Sequence, residues 1–226
     1  MGRLNLALSF ICAIFVMLSH AAARPLIVLG SGSATRKAIL TQAGYAFEVA
    51  KADIDEYALG DRSSADGARD LVTLLGHAKA DAILSRLGPP SLSDTRLLLT
   101  ADQVVVCGRE ILEKPKTEAE ARRYMALYAS QPCRTVGSLV LTSLATRRRV
   151  CGVDTCTIHL DPLPADTIEA LLAEGGLYSC AGGLMVEHPL VSPHVREIEG
   201  SMDSVMGLGS AMLEALVREL AAAEGK

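Results

Sequence analysis

The chain has 226 residues, which suits one or two domains with a sizeable hydrophobic core, and its formal net charge is −4. The acidic balance argues against a protein that binds duplex nucleic acid, because such proteins are usually basic. Tryptophan is absent and aromatic residues make up only 4% of the chain, which argues against base-stacking platforms for single strands. We therefore expect no nucleic-acid partner.

The N-terminal residues 1–23 differ in composition from the rest of the chain. Arg3 precedes an almost unbroken apolar run over residues 6–18, and small residues follow the run. This order is typical of a secretory signal, although Met17 could equally be the true start of the protein. The run is too short for a comfortable membrane span, so we expect no stable span. Residues 24–226 are expected to form a single domain.

Cysteine usage indicates a different compartment from the leader. The chain has 6 cysteines, and removal of residues 1–23 leaves an odd number without CxxC spacing. Such a set resembles neither a disulfide framework nor a zinc site, and it is typical of reduced thiols in the cytosol. We therefore favour a cytoplasmic location over the secretory or organellar route that the leader would give.

The first predicted element after the leader is a strand over Leu26–Leu29. The small-residue loop Gly30–Ser33 and a helix over Ala34–Ala43 follow it. Free backbone N–H groups and the helix dipole make such a unit suitable for binding an anion. Arg36 in the first helical turn adds a planar fork that suits phosphate oxygens. An ordinary strand-to-helix turn with a surface arginine is the alternative.

A second strand is predicted over Phe47–Ile54, and it runs into an acidic cluster that could also be a solvated turn: Asp53, Asp55 and Glu56. A helix is then predicted over Arg69–Leu87. Its expected buried stripe consists of Leu71, Leu74, Leu75, Ala78 and Ala82. Lys79 lies beside this stripe, where a lysine usually reaches solvent but could instead reach into a cleft.

The strongest strand pattern in the chain covers Leu97–Val106. Two polar residues, Asp102 and Gln103, interrupt its apolar sequence in the middle. An unpaired carboxylate inside a buried strand costs roughly several kcal/mol. Asp102 is therefore expected to have a partner such as a metal, a lysine or a catalytic water, and we favour a functional role for it.

The remaining elements mix strands and helices without a regular alternation. Thr117 and Glu120 form a capping box for a helix that ends near Ser130. Two strands, a short helix and an amphipathic C-terminal helix follow: Arg134–Leu144, Val150–Leu160, Pro164–Ala173 and Ser210–Ala223. This order indicates an α/β fold with a mixed sheet.

Several short motifs along the chain occur in the order found in a known family. They are S-x-S-x-x-R at Ser31–Arg36, I-D-E at Ile54–Glu56, Lys79–Ala80, D-Q-V at Asp102–Val104, Lys114–Pro115, Ala181–Gly182 with Glu187, and Gly200–Leu208. In this set the chain resembles the Maf-like nucleotide pyrophosphatases, also called septum formation proteins. The resemblance implies an α/β fold with a mixed, elongated sheet in two lobes around a cleft, like that of inosine triphosphate pyrophosphatases. It also implies a nucleotide substrate, a divalent metal cation as cofactor (Mg, Mn or Co) and often a homodimer.

The resemblance further implies roles for individual residues. Asp102 would be the catalytic base in a reaction in which water attacks the α-phosphorus of a nucleoside triphosphate and pyrophosphate leaves. Glu56 and Asp55 would bind the metal through hard oxygen atoms. The substrate phosphates would be bound by Ser31, Ser33, Arg36, Lys79 and Lys114.

Substrate specificity is expected to depend on Thr35, Gln103 and Glu187. The D-Q-V motif and Glu187 resemble the 7-methyl-GTP pyrophosphatase branch, whereas the dTTP/UTP branch usually has D-T-V and Gln. Thr35 stands where the 7-methyl-GTP branch often has Trp. The expected substrate is therefore 7-methyl-GTP, with dTTP/UTP hydrolysis as the alternative. A non-catalytic, nucleotide-binding regulator of division is the alternative from another class, and Asp102 argues against it.

Overall fold

The computed structural model describes residues 24–225, so the leader-like residues 1–23 lie outside the described part of the chain. The strands are β1 (Ile27–Leu29), β2 (Phe47–Val49), β3 (Leu97–Cys107), β4 (Glu110–Leu112), β5 (Cys133–Ser143), β6 (Arg149–Leu160) and β7 (Val195–Glu199). The α-helices are α1 (Ala34–Gln42), α2 (Ala68–Leu87), α3 (Glu118–Ser130), α4 (Ala165–Glu174), α5 (Met202–Val205) and α6 (Ser210–Ala223). The predicted α/β fold with a mixed sheet is confirmed.

Parallel pairing is confined to one side of the 7-stranded sheet, whose order is β2-β1-β3-β5-β6-β7, with β4 paired to β3. β1 lies between β2 and β3 and is parallel to both, whereas the other neighbours are antiparallel. β3 and β5 pair over their whole lengths. The carboxyl ends of β1 and β2 therefore open beside the middle of β3, and the carboxyl edge of parallel strands is where ligands bind in open α/β sheets.

β3 contributes to two apolar clusters on each of its faces. On one face Leu99 packs with α1 and α6, and Val105 packs with α3 and α4. On the other face Leu98 and Val104 belong to separate clusters, which the C-terminal and N-terminal halves of α2 cover. The polar pair Asp102–Gln103 lies between these clusters along the strand. The interruption seen in the sequence therefore marks the boundary between two lobes, one with the clusters of Leu98 and Leu99 and the other with those of Val104 and Val105.

Most predicted elements are confirmed with small shifts of their ends. α6 has the predicted bounds, and α1 ends at Gln42, with Ala43 as its cap. Thr117 caps α3 as predicted, since its hydroxyl accepts a hydrogen bond from the N–H of Glu120 at 3.2 Å. The Glu120 carboxylate accepts from the N–H of Lys116 rather than from that of Thr117.

The predicted second strand is wrong in length. It ends at Val49 rather than at Ile54. Its parallel partner β1 ends at Leu29, which is paired with Val49, so no further strand edge is available for the residues that follow.

Three members of the predicted buried stripe of α2 are also wrong. Leu74 is 44% exposed, and Ala78 and Ala82 are only half-buried. The helix turns Gly76 towards β5 instead, since a Cβ on this residue would lie 2.9 Å from Val140 Cγ2. The buried face consists of Ala68, Leu71, Val72, Leu75, Gly76, Lys79, Ala80 and Ile83.

Two further properties apply to residues 24–225. Their cysteines, at positions 107, 133, 151, 156 and 180, are all free thiols. None of the helices in this part of the chain is both long and apolar enough to cross a membrane.

Gly182 is packed too closely to accept a methyl group. Its φ is 62°, and a Cβ would lie 2.3 Å from the Tyr128 hydroxyl and 2.8 Å from Val105 Cβ. The Tyr128 hydroxyl donates to the Gly182 carbonyl at 2.7 Å, which fixes this approach. We expect Gly182→Ala to lower the free energy of unfolding by about 3 kcal/mol, through left-handed backbone strain and overpacking. Urea denaturation measures the loss.

Gly175→Ala is the matched control for this substitution. Gly175 caps α4 with a φ of 74°, but the nearest atom to a Cβ there would be 3.9 Å away. This variant should lose only the backbone strain, about 1–2 kcal/mol. Equal losses in the two variants would contradict the steric argument.

Candidate active site

One cleft of about 840 Å³ contains every site residue that the sequence indicated. This volume lies within the range of pockets that bind small molecules and cofactors. The residues that it brings together are Ser31, Ser33, Thr35, Arg36, Asp55, Glu56, Lys79, Asp102, Gln103, Lys114 and Glu187. They come from both sides of the boundary in β3, so the cleft lies between the two lobes.

The loop after β1 is held tightly against β3. The Gly30 N–H donates to the Leu99 carbonyl at 2.7 Å, and a Cβ on Gly30 would lie 2.5 Å from Thr100 Cγ2. Ser33 then caps α1, since its hydroxyl accepts from the N–H of Arg36 at 3.3 Å. The Ser33 N–H itself donates to the Ser31 hydroxyl at 3.2 Å. The loop therefore presents two serines and the start of a helix to the cleft.

Arg36 ties three distant segments together. Its Nε donates to the Gly207 carbonyl at 2.9 Å, and its Nη1 donates to the Ala101 carbonyl and to the Ser31 hydroxyl, both at 3.2 Å. Burial lowers the pKa of the guanidinium, while the negative charges of Asp102 and Glu56 raise it in part. The alternative of an exposed surface arginine is therefore wrong.

Asp102 has a lysine as its partner, one of the three kinds predicted. Lys79 Nζ lies 2.5 Å from Asp102 Oδ1 and 3.1 Å from Glu56 Oε2, and the side chains of Lys79 and Asp102 are only 10% and 9% exposed. Burial raises the pKa of the Asp102 carboxyl, Lys79 and Arg36 lower it in part, and Glu56 raises it further. Lys79 thus reaches into the cleft rather than into solvent.

The carboxylates suit a hard divalent cation that also binds a substrate phosphate. Glu56 and Asp102 converge on the same ammonium group, so both direct oxygen atoms at one positive charge. Mg²⁺ is commonly held by one or two carboxylates together with substrate phosphates, rather than by a complete cage of protein ligands. Within residues 24–225 no group of three or more His, Cys, Asp and Glu side chains could hold a metal. Asp55 lines the cleft, and its Oδ1 accepts from the Tyr57 N–H at 3.1 Å.

The three residues assigned to specificity differ in how firmly they are held. Gln103 Nε2 donates to the carbonyls of Ser204 and Val205, at 2.9 and 3.2 Å. Glu187 is exposed and makes no hydrogen bond or ion pair within the described residues. Thr35 is half-buried in the first turn of α1.

Sequence reasoning missed Lys51, which also lines the cleft. Lys51 follows β2 closely and lies beside the loop after β1. The signal that could have identified Lys51 is its position just after β2, the strand that pairs in parallel with β1. Periodicity does not reveal which strands pair, so this signal could be used only once the topology was known.

Comparisons with known proteins agree with the motif pattern. A family model described as Maf-like protein matches residues 26–220. A 7-methyl-GTP pyrophosphatase from Dictyostelium discoideum is 34% identical over 199 residues, which cover 87% of this chain and 98% of that protein. A dTTP/UTP pyrophosphatase from Vibrio parahaemolyticus is 31% identical over 193 residues, which cover 85% of this chain and 96% of that protein.

A solved structure of a nucleoside-triphosphatase / dITP/XTP pyrophosphatase from Mycobacterium abscessus is a distant neighbour. It gives a TM-score of 0.34 at 12% identity and covers 62% of this chain and 76% of that chain. A likeness of this size carries no argument about the site.

Proposed function

Because the chain belongs to the Maf-like protein family, we propose that it is a nucleoside triphosphate pyrophosphatase, which converts its substrate to a nucleoside monophosphate and pyrophosphate. One observation carries this proposal. The buried carboxylate of Asp102 lies in the middle of the sheet, 2.5 Å from a lysine, in a cleft lined by cationic side chains. The names of the relatives agree on this reaction and differ on the base.

Asp102 acts as the general base. Water attacks the α-phosphorus, a new P–O bond forms, and the bond to the bridging oxygen of the β-phosphate breaks, so pyrophosphate leaves. Asp102 accepts the proton that the water loses. Burial raises the pKa of this carboxyl and so makes it a stronger base, while Lys79 favours its ionised form.

Arg36, Lys79 and Lys114 neutralise the phosphates, and Ser31 and Ser33 donate hydrogen bonds to them. Arg36 is held rigidly by carbonyl oxygens, so its charge is positioned before substrate arrives. Lys114 makes no ion pair within residues 24–225, so its charge is free for an anion.

The cleft needs a further positive charge to hold a triphosphate. It is lined by five carboxylates (Asp55, Glu56, Asp102, Glu113, Glu187) and four cationic side chains (Arg36, Lys51, Lys79, Lys114). Glu56 and Asp102, whose carboxylates converge on Lys79, would hold a divalent cation such as Mg²⁺, Mn²⁺ or Co²⁺ together with substrate phosphates. When bound, such a cation polarises phosphoryl oxygens and offsets their charge.

The 7-methyl-GTP assignment rests on Glu187. The Watson–Crick edge of guanine presents adjacent N–H donors, and a carboxylate can accept from two at once, which a Gln side chain with its single oxygen cannot. Methylation of the ring at position seven adds positive charge. The exposed and unpaired carboxylate of Glu187 attracts this charge. Thr35 offers no aromatic face to that ring, so cation–π stacking worth ~1–2 kcal/mol is absent at this position. We propose 7-methyl-GTP as the preferred substrate, with a tolerance for other nucleotides.

Asp102→Asn tests the assigned base. The amide keeps the size of the side chain but cannot accept the proton, so we expect kcat to fall by about 10²- to 10⁴-fold. Release of phosphate, after added inorganic pyrophosphatase has split the pyrophosphate, measures kcat. Circular dichroism should show the wild-type fold, whereas the urea midpoint should fall because Lys79 keeps only Glu56 as a partner. Near-native turnover would remove Asp102 from the mechanism.

Metal removal tests the cofactor. Dialysis against EDTA should abolish turnover, because the carboxylates of the cleft would then repel the phosphates of the substrate. Titration with Mg²⁺, Mn²⁺ or Co²⁺ should restore it, and a Ca²⁺ titration serves as a comparison of ion size. Full activity in excess EDTA would exclude the proposed metal.

Glu187→Gln tests the substrate assignment. The wild type should have a higher kcat/KM for 7-methyl-GTP than for UTP and dTTP. The ratio of these kcat/KM values should be about tenfold lower in the variant. Glu197→Gln is the control, because Glu197 is an exposed carboxylate on β7 outside the cleft. A wild-type preference for pyrimidine nucleotides, or an unchanged ranking in Glu187→Gln, would contradict the assignment.

A further inference from the structure

The cationic side chains of the cleft differ in how far their charge is already used. Arg36 donates to carbonyl oxygens of β3 and of the C-terminal segment, and Lys79 lies between two carboxylates. Lys51 and Lys114 make no side-chain hydrogen bond or ion pair within residues 24–225. Lys114 already has a role from the family motif, whereas Lys51 has none.

The backbone fixes Lys51 beside the loop after β1. The Ala50 N–H donates to the Leu29 carbonyl at 3.0 Å, which extends the parallel contact of β1 and β2 by one hydrogen bond. The Lys51 carbonyl accepts a hydrogen bond from the Arg86 guanidinium of α2. Lys51 is therefore held from both sides at the carboxyl ends of two parallel strands.

The Lys51 side chain lies over Gly32, between the two serines of the loop. A Cβ on Gly32 would be 2.7 Å from Lys51 Cε and 3.2 Å from Lys51 Nζ. Gly32 does not have a positive φ, so its backbone does not require glycine. The absence of a side chain at residue 32 therefore provides the space that the lysine occupies.

We propose that Lys51 binds phosphate oxygens of the nucleotide at the loop after β1, and that Gly32 gives it access. The inference rests on the proposed function and deepens it, since it adds a cation to the same site. An ammonium beside Gly32, the residue between Ser31 and Ser33, adds a positive charge to the loop. A phosphate group there would receive the Lys51 charge together with hydrogen bonds from the loop.

The first experiment measures anion binding without catalysis. Isothermal titration calorimetry with inorganic pyrophosphate, in buffer with Mg²⁺, compares the wild type with Lys51→Met, which keeps an apolar stem and removes the charge. We expect Kd to rise about tenfold, as for the loss of one charge-assisted hydrogen bond. Lys37→Met is the matched control, because Lys37 lies on α1 but outside the cleft, and its Kd should not change.

The second experiment tests the role of Gly32. A Cβ there would meet only the flexible end of Lys51, so Gly32→Ala should fold normally and displace the ammonium. Gly32→Ala should therefore weaken pyrophosphate binding in the wild type and have little further effect in Lys51→Met. Additive losses in the double variant would overturn the coupling between the two residues.

The outcomes separate this inference from the proposed reaction. Weaker pyrophosphate binding by Lys51→Met supports the role of Lys51 even if no nucleotide on the panel is hydrolysed. Nucleotide hydrolysis with unchanged KM and unchanged pyrophosphate affinity in Lys51→Met overturns the role of Lys51 and leaves the proposed reaction standing. Equal weakening by Lys51→Met and Lys37→Met also overturns it, because that result indicates a general effect of charge.

Discussion

A carboxylate in the middle of a buried strand requires a cation, and the contact between Lys79 and Asp102 meets this requirement. The two side chains come from α2 and β3, so the contact also fixes how the helix lies on the sheet. Gly76 and Thr100 support the same arrangement, since the Thr100 hydroxyl donates to the Gly76 carbonyl at 2.7 Å. Loss of one partner from a buried pair typically costs about 3–5 kcal/mol, because the other charge is left uncompensated. The pair that we propose for catalysis is therefore also part of what holds the wall of the cleft in place.

The fold could be predicted from the sequence wherever a pattern ran for many residues. The amphipathic repeat of Ser210–Ala223 and the apolar sequence of β3 were enough to identify those elements. β4 and β7 were missed, because strands of 3 and 5 residues carry too little periodicity. β2 was predicted too long because its end depends on where its partner strand stops. Such boundaries are properties of the pairing and not of the local sequence.

The candidate site was predictable for a different reason. Its residues stand in short motifs whose order along the chain resembles a family, and the structure brings all of them to one cleft. The way they are held was not predictable. Arg36 donates to Gly207, 171 residues away in sequence, and Gln103 donates to the carbonyl of Ser204, 101 residues away. Every residue has a backbone carbonyl, so a contact to a carbonyl does not require a particular residue at the partner position. No sequence pattern therefore reveals such contacts.

The contact between Arg36 and the Gly207 carbonyl has a consequence for how the protein is made. Synthesis on the ribosome proceeds from the N-terminus, and residues emerge at about 5–20 per second. The loop that carries Arg36 is therefore exposed well before the carbonyl that orients its guanidinium has been synthesised. A nascent chain can form the early strands and the contacts of Arg36 with Ser31 and Ala101, but the contact of its Nε with Gly207 forms only when the C-terminal segment folds back. The complete set of contacts that orients Arg36 is thus a property of the finished chain, and premature termination before residue 207 removes one of them even if the sheet survives.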